Sequence, residues 1–193
     1  KKTAPWKNFG EFLQDAKRRP GAITYSSSGQ YGPTHLPMEM LSQATGTKML
    51  HVPAAGGGPA MNLLLGGHVD TFFTVPALGI QHVESGELRP LAASGSTRVA
   101  EFPSVPTLKE LGVDLEYVVW VGLFAPKDMP PDVRGIISKA VAAAASDPLF
   151  KNAIAKSGTT LAYQGADEFQ SWWNEDAEKL TTIIKKINEG AKK

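Results

Sequence analysis

The chain contains no cysteine, and that absence excludes several kinds of site at once. Its 193 residues can form no disulfide, no thiolate metal site and no cysteine nucleophile. Long apolar runs are also missing, because Gly or Pro interrupts the apolar stretches before they reach the ~18–20 residues that a membrane span needs. Missing cysteine does not by itself indicate a cellular compartment.

An excess of charge of one sign is absent as well. There are 20 Lys and Arg residues against 19 Asp and Glu residues, and no basic block alternates with aromatic residues. We therefore predict no nucleic-acid partner. Residues 1–5 lack the apolar core and cleavage site of a signal peptide, so we expect that any export signal was removed or was never part of this chain.

What is present is an ordinary globular composition with alternating helix and strand patterns. The 42% hydrophobic content suits one core or two small lobes around a cleft. Periodicity predicts helices over Trp6–Arg18, Leu36–Gly46, Pro59–Leu65 and Ala77–Val83. Strands are predicted over Ile23–Ser26, Met49–Val52, Val69–Thr74 and Leu88–Ala93. This alternation predicts βαβ units, a largely parallel sheet and the α/β class.

The pattern changes to helices in the last third of the chain. Thr107 and Glu110 form a capping-box signature for a short helix, and strands are predicted over Tyr117–Phe124 and Thr159–Tyr163. Helices are predicted from Pro131 to Ala145, from Asp147 to Lys156 and from Ala166 to about Asn188. We therefore predict an α/β region over residues 1–116, entered by a helix over 6–18, and a second region over 117–193.

Two glycine-rich turns each follow a predicted strand and open a predicted helix. The first runs from Ser26 to Leu36 and the second from Pro53 to Ala60. Free backbone N–H groups at a helix start, together with the helix dipole, bind anions without a basic side chain. Two such turns facing one cleft would suit a carboxylate or a phosphate.

Other chemistries for these turns fail on spacing or missing partners. The Lys-Ser/Thr ending of a phosphate-binding loop and the glycine spacing of a dinucleotide fold are both absent, which argues against a nucleotide. No two of the four histidines stand at i, i+4, so we predict no metal site. A hydrolase or transferase using the Ser26–His35 turn stays a second hypothesis, although no Gly-x-Ser-x-Gly elbow is present.

Two polar side chains carry open alternatives. His35 either fixes its own loop by hydrogen bonding or contacts a ligand. Asp70 is either a strand-end acid bonded to solvent or loop amides, or an acceptor for a ligand amine or hydroxyl.

Six motifs stand in an order that belongs to a known family. They are Gly29 to Leu36 with Glu39, Val52-Pro53 with Gly58-Pro59-Ala60, and the segments 65–70, 86–92, 103–112 and 120–126. In this order they resemble Bug-type proteins, the periplasmic substrate-binding components of tripartite tricarboxylate transporters. The resemblance covers nearly the whole chain.

The resemblance implies a type II periplasmic-binding fold, with two α/β lobes and a cleft that closes over a ligand. It implies a periplasmic solute-binding protein without cofactor and without enzyme activity. The implied ligand is a small carboxylate such as a dicarboxylate, citrate, an acidic amino acid or an aromatic acid, and the implied partners are membrane transporter subunits. It also implies that residues 1–116 are the second lobe and that residues 117–193 are a returning strand and C-terminal helices belonging to the first lobe. The chain would then lack most of that first lobe, roughly a hundred residues. Exposed faces would then favour self-association.

The resemblance also implies which residues line the ligand. The predicted ligand-binding set is Ser28, Gly29, Gln30, Tyr31, Gly32, Thr34, His35, Gly57, Gly58, Asp70 and Phe72. No catalytic residue and no metal ligand is predicted. Gly32 stands where the family often has Ser or Thr, and Ala54-Ala55 where it often has Tyr-Lys. Backbone amides, or Gln30, Tyr31 and Thr34, therefore have to supply the donors.

Overall fold

A small parallel sheet organises the first of two units in the structure, a computed structural model that describes residues 1–190. The first unit is Lys1–Val119 and the second begins at Trp120. The strands are β1 (Thr24–Ser27), β2 (Leu50–Pro53) and β3 (Thr71–Phe72), in the order β2-β1-β3. Tyr25 pairs with His51 on one side and with Thr71 on the other. All three strands therefore end at the same edge of the sheet.

Four helices alternate with these strands as the sequence pattern predicts: the first precedes β1, the next two connect the strands, and the last follows β3. They are α1 (Phe9–Arg18), α2 (Leu36–Thr45), α3 (Gly57–Gly66) and α4 (Pro76–Glu84). The start of α1 is fixed by Asn8, whose side chain accepts the Glu11 N–H at 2.9 Å. The predicted α/β alternation of the first unit is confirmed, and the element bounds shift by a few residues.

Apolar clusters cover both faces of the sheet, as a parallel sheet requires. Phe12, Tyr25 and Leu41 belong to the cluster that joins α1 and α2 to the sheet. Met61 and Leu64 of α3 form the cluster on the other face. Successive side chains of a strand alternate between faces, so Tyr25 enters the first cluster, whereas the Ser26 hydroxyl donates to the Ala60 carbonyl of α3 at 3.0 Å.

Several predicted elements are wrong. Leu88–Ala93 is not a strand and forms only an isolated bridge between Ala93 and Thr107. Tyr117–Phe124 and Thr159–Tyr163 have no strand pairing among residues 1–190. A β-propensity run becomes a strand only where a neighbouring strand takes its N–H and C=O groups.

The capping box forms its hydrogen bonds without the predicted helix. The Thr107 N–H donates to Glu110 at 2.7 Å and the Glu110 N–H donates back to the Thr107 hydroxyl at 3.1 Å. The residues that follow form turns as far as Gly112. A helix of so few residues has too few backbone bonds to offset its nucleation cost.

The second unit consists of helices. They are α5 (Pro131–Ser146), α6 (Pro148–Lys156) and α7 (Ala166–Gly190). Asp147 caps α6 by accepting the N–H groups of Leu149 and Phe150. Among the residues described, no helix is both long enough and apolar enough to cross a membrane. The predicted boundary at residue 116, and the assignment of the two regions to two lobes, stay predictions.

Candidate functional site

Both glycine turns lie at the edge of the sheet where the strands end. The first glycine turn, Ser28–His35, joins β1 to α2, and the second glycine turn, Gly56–Gly58, joins β2 to α3. β1 and β2 are adjacent and parallel, and the Ala54 N–H donates to the Ser27 carbonyl at 2.9 Å just beyond the paired residues. In open α/β sheets this edge is the usual place for a ligand.

The first glycine turn is closed by hydrogen bonds between Ser28 and Thr34. Thr34 Oγ1 accepts the Ser28 N–H at 2.7 Å and lies 2.9 Å from Ser28 Oγ. Across the same turn, the Gly32 N–H donates to the Gly29 carbonyl at 3.2 Å. Thr34 is buried. Its hydroxyl therefore serves the turn itself and is not presented to solvent.

His35 holds the strained residue of the first glycine turn. Tyr31 has φ +58°, the one positive φ at a non-glycine residue in the described part of the chain. Its N–H donates to His35 Nδ1 at 3.1 Å, so that nitrogen carries no proton. Burial lowers the pKa of His35, against a smaller opposing effect of the Glu39 carboxylate. The structure thus places His35 as a neutral support inside the turn.

The N–H groups at the N-terminus of α2 already donate to backbone carbonyls close to them in the chain. The N–H groups of His35 and Leu36 donate to the Gly32 carbonyl at 3.0 and 3.1 Å, and that of Met38 donates to the His35 carbonyl at 3.0 Å. Pro37 has no N–H. Within the first glycine turn, Gln30 and Thr34 have the N–H groups that meet no acceptor in residues 1–190.

The second glycine turn shows the opposite arrangement. Gly57 and Gly58 donate to no acceptor in the described chain, and no side chain caps α3. Gly56 has φ +113° and ψ 171°, a conformation that is essentially confined to glycine. A Cβ atom on Gly57 would lie 2.8 Å from Leu78 Cδ1, so α4 packs closely against this turn. The result is a pair of uncapped N–H groups at a helix N-terminus.

A histidine that the sequence analysis assigned no role lies beneath the first glycine turn. His51 Nε2 of β2 is 2.6 Å from Ser27 Oγ. Its ring centroid lies 4.1 Å from that of His35 and 5.0 Å from that of Tyr25. Burial, and secondarily the neighbouring His35, lower the pKa of His51 to about 4. In the sequence, His51 is only a single histidine within a predicted strand, between Leu50 and Val52. Its neighbours become known only from the strand register, which pairs it with Tyr25.

The remaining two predicted residues lie elsewhere. Asp70 stands at the opposite edge of the sheet, where its Oδ2 accepts the N–H and the hydroxyl of Thr24, both at 2.8 Å. At ~3.3 Å per residue, the length of β1 separates it from the two turns by roughly 13 Å. Phe72 packs against the Met61 cluster under α3. The structure therefore brings together the two turns, and it does not bring Asp70 or Phe72 to them.

The geometry does not favour a nucleophile in the Ser26–His35 turn. Ser27 is adjacent to a histidine, but it is fully buried and its hydroxyl also donates to the Gly29 carbonyl at 3.0 Å. A Ser–His pair needs a third group that orients the base and an open approach for the substrate. The nearby Glu39 instead bonds the Tyr25 hydroxyl. In the part of the chain that the structure describes, no group of three His, Cys, Asp or Glu residues is arranged to hold a metal ion.

Comparison with known proteins identifies relatives of nearly the whole chain. Residues 1–189 match the tripartite tricarboxylate transporter family receptor, TctC. The UPF0065 protein in the gbd 5'region of Cupriavidus necator is 36% identical over 95% of this chain and 56% of its own length. Protein BugT of Bordetella pertussis is 30% identical over 93% of this chain and 55% of its own length. The chain thus spans about half the length of the curated relatives it matches.

Solved structures share the fold. One described as a periplasmic transporter aligns with a TM-score of 0.88 at 34% identity, over 97% of this chain and 63% of that one. The R. palustris protein Rpa4515 with adipate aligns with a TM-score of 0.88 at 23% identity, over 95% and 62%, a likeness of fold alone. The predicted family resemblance and the α/β periplasmic-binding fold are confirmed, and the family that matches is one of receptors.

Proposed function

The chain belongs to the tripartite tricarboxylate transporter receptor family, and on that premise we propose that it holds a small carboxylate for a membrane transporter. The proposed ligand is a dicarboxylate, citrate, an acidic amino acid or an aromatic acid. The proposed place of work is the periplasm, and the proposed partners are the membrane subunits of the transporter.

The observation that carries this proposal is the pair of uncapped N–H groups at Gly57 and Gly58. They stand at the N-terminus of α3, where the helix dipole favours an anion. The two oxygens of one carboxylate can accept both. Neither turn contains Lys or Arg. Recognition by backbone donors therefore accounts for anion binding without a basic side chain.

The first glycine turn supplies further N–H donors in addition to those of Gly57 and Gly58. The Gln30 and Thr34 N–H groups have no acceptor in the described residues, and the Gln30 side chain is exposed. A ligand with polar groups at two ends would engage both turns. That the R. palustris protein named above carries adipate, a dicarboxylate, agrees with this choice of ligand class.

Nuclear magnetic resonance titration of the purified chain tests the proposal directly, because it detects weak binding residue by residue. We expect malate, citrate, glutamate or benzoate to move the amide signals of Gly57 and Gly58 in a saturable way. Succinamide, which has no charge, serves as the control and should leave them unmoved. If the folded chain shows no shift with any of these acids, the proposed function is wrong.

A further inference from the structure

His51 is joined to the first glycine turn by two separate routes, although it belongs to neither turn. We propose that His51 is a positioning residue, which holds the first glycine turn in its ligand-binding form through Ser27 and through His35. Its effect on ligand affinity rests on the proposed function, whereas its effect on the turn does not.

The first route runs through the Ser27 hydroxyl. Ser27 Oγ lies 2.6 Å from His51 Nε2 and donates to the Gly29 carbonyl at 3.0 Å. The Gly29 N–H in turn donates to Ser27 Oγ at 3.2 Å. Gly29 has φ +143° and begins the sharp part of the turn. Because Ser27 is fully buried, water cannot replace a bond that His51 gives up.

The second route runs through the stacked ring of His35. The two imidazole centroids are 4.1 Å apart, and His35 Nδ1 accepts the Tyr31 N–H. Tyr31 stays at φ +58° only while the surrounding contacts hold it there. A ring at position 51 therefore keeps His35 in place, and His35 keeps the backbone of Tyr31 in place.

The charge state of the pair decides whether the two imidazole rings stay in stacking contact. Three titratable residues contact the pair: Tyr25 from β1, Glu39 from α2 and Tyr31 from the turn. Protonation of His35 at Nδ1 turns an acceptor into a donor and breaks its bond with Tyr31. Protonation of both rings places like charges in stacking contact, and only the Glu39 carboxylate, 3.8 Å from His35 Nε2, offsets them.

Amide hydrogen exchange tests the proposal without any ligand. Protection factors of the Gly29 and Tyr31 N–H groups are compared with that of Leu64 in α3, in the wild type and in three variants. His51→Phe keeps a ring and removes the bond to Ser27, and His51→Gln keeps a hydrogen-bonding group that does not titrate. His68→Gln makes the same chemical change at an exposed histidine and is the matched control.

We expect His51→Phe, which loses the bond to Ser27, to lower the protection factor of Gly29 at pH 7 by about tenfold, the fold-change of one lost hydrogen bond. Because Phe keeps a ring against His35, Tyr31 should stay near its wild-type protection. The wild type should lose protection at Gly29 and Tyr31 between pH 6 and pH 4 while Leu64 keeps its own. His51→Gln, which keeps a hydrogen-bonding group but no ring, should retain most of the protection of Gly29 at pH 7, lose protection at Tyr31 and show a weaker dependence on pH. His68→Gln should match the wild type throughout.

Two results would overturn the proposal: unchanged protection of Gly29 in His51→Phe, or a wild-type profile with no change at Gly29 and Tyr31 from pH 7 to pH 4. If His51→Phe does not fold, the wild-type profile and His51→Gln decide alone. Malate is titrated into the same samples. Absence of any shift with malate, and with citrate, glutamate and benzoate as well, contradicts the proposed function, whereas the protection factors still decide the role of His51.

Discussion

The two glycine turns look alike in sequence but use their hydrogen-bonding groups in opposite ways. In the first, the N–H groups of Ser28, Tyr31 and His35 all donate to acceptors within the turn. In the second, Gly57 and Gly58 donate to nothing in residues 1–190. In a turn that contains a hydroxyl, an imidazole and a well-placed carbonyl, these groups accept hydrogen bonds from N–H groups of the same turn. A turn made only of glycine has no side-chain acceptor, and the N–H groups of Gly57 and Gly58 therefore stay without a partner in the described residues.

This difference separates two roles that glycine-rich sequences combine. The first glycine turn is held by its own hydrogen bonds and by the contact between the rings of His35 and His51, and Gln30 is exposed. The second is the stronger anion site, because its donors carry the positive end of the α3 dipole. The dipole of α2 is aligned in the same way, but its first N–H groups already have acceptors. Counting the donors that remain therefore distinguishes the two helix starts where glycine content does not.

Removing one donor from the second glycine turn should have the largest effect on binding. Gly58→Pro deletes an N–H at a helical position where proline is tolerated, and nothing lies within 4 Å of a Cβ there. A hydrogen bond to a charged group contributes about 1.5–3 kcal/mol, so we expect at least a tenfold loss of carboxylate affinity. Titration calorimetry measures this loss. Gly58→Ala is the matched control, because it keeps the N–H and should keep the affinity.

The backbone of the second glycine turn should be the next most sensitive feature. Gly56→Ala forces a Cβ into a conformation at φ +113° that other residues avoid. We expect a loss of about 1–3 kcal/mol in the free energy of unfolding. Denaturation by urea, compared with Gly58→Ala, provides the measurement. Equal stability of the two alanine variants would contradict the strain and would weaken the contrast between the turns.

The histidines that support the first glycine turn should make stability depend on pH. The pKa of His51 falls from an ordinary 6.5 to about 4 on folding, and that of His35 is lowered as well. The unfolded chain therefore binds protons first as the pH falls. The contribution of the two neutral histidines to the free energy of unfolding is fully present above about pH 6.5. It is lost progressively toward pH 4, by about 2 kcal/mol after allowance for partial exposure.

Urea denaturation at pH 7, 6 and 5 measures this loss, with His51→Gln as the control. The slope of stability against pH should be smaller in that variant, because only His35 still titrates in the pair. Equal slopes of stability against pH in the wild type and in His51→Gln would show that folding does not lower the pKa of His51. The comparison stops at pH 5 because carboxylates such as Asp15, whose pKa is held low by its hydrogen bonds with Arg19 and Arg18, contribute at lower pH.

Local patterns predicted the architecture of the first unit well. Helices with a clear stop signal, such as α1 before Pro20 and α2 before Gly46, ended where the sequence indicated. The strands that failed did so for a reason that no local pattern contains. Tyr117–Phe124 has the composition of a strand, yet Val121 is 96% exposed and no strand lies beside it in the described chain. Strand pairing needs two segments, and the sequence of one segment does not show whether a second strand lies beside it.

The candidate site shows the same limit at the level of side chains. Spacing placed both turns at one edge, because strand-to-helix turns of a parallel sheet share that edge. It could not show that Asp70 precedes its strand and so faces the other edge, since the predicted strand began at Val69 and the structure begins β3 at Thr71. It also gave no reason to select His51, whose neighbours Ser27 and His35 come from two other elements.

Asp70 should give the smallest effect and the sharpest check on the placement of the site. Its carboxylate bonds Thr24 at the edge opposite the turns, so Asp70→Ala should lower the free energy of unfolding by about 1 kcal/mol. Carboxylate affinity should stay as in the wild type. Asp70→Asn keeps an acceptor for the Thr24 N–H and should lose less stability. A change in affinity at either variant, measured by the same calorimetric titration, would place the binding site at the β3 segment and not at the two glycine turns.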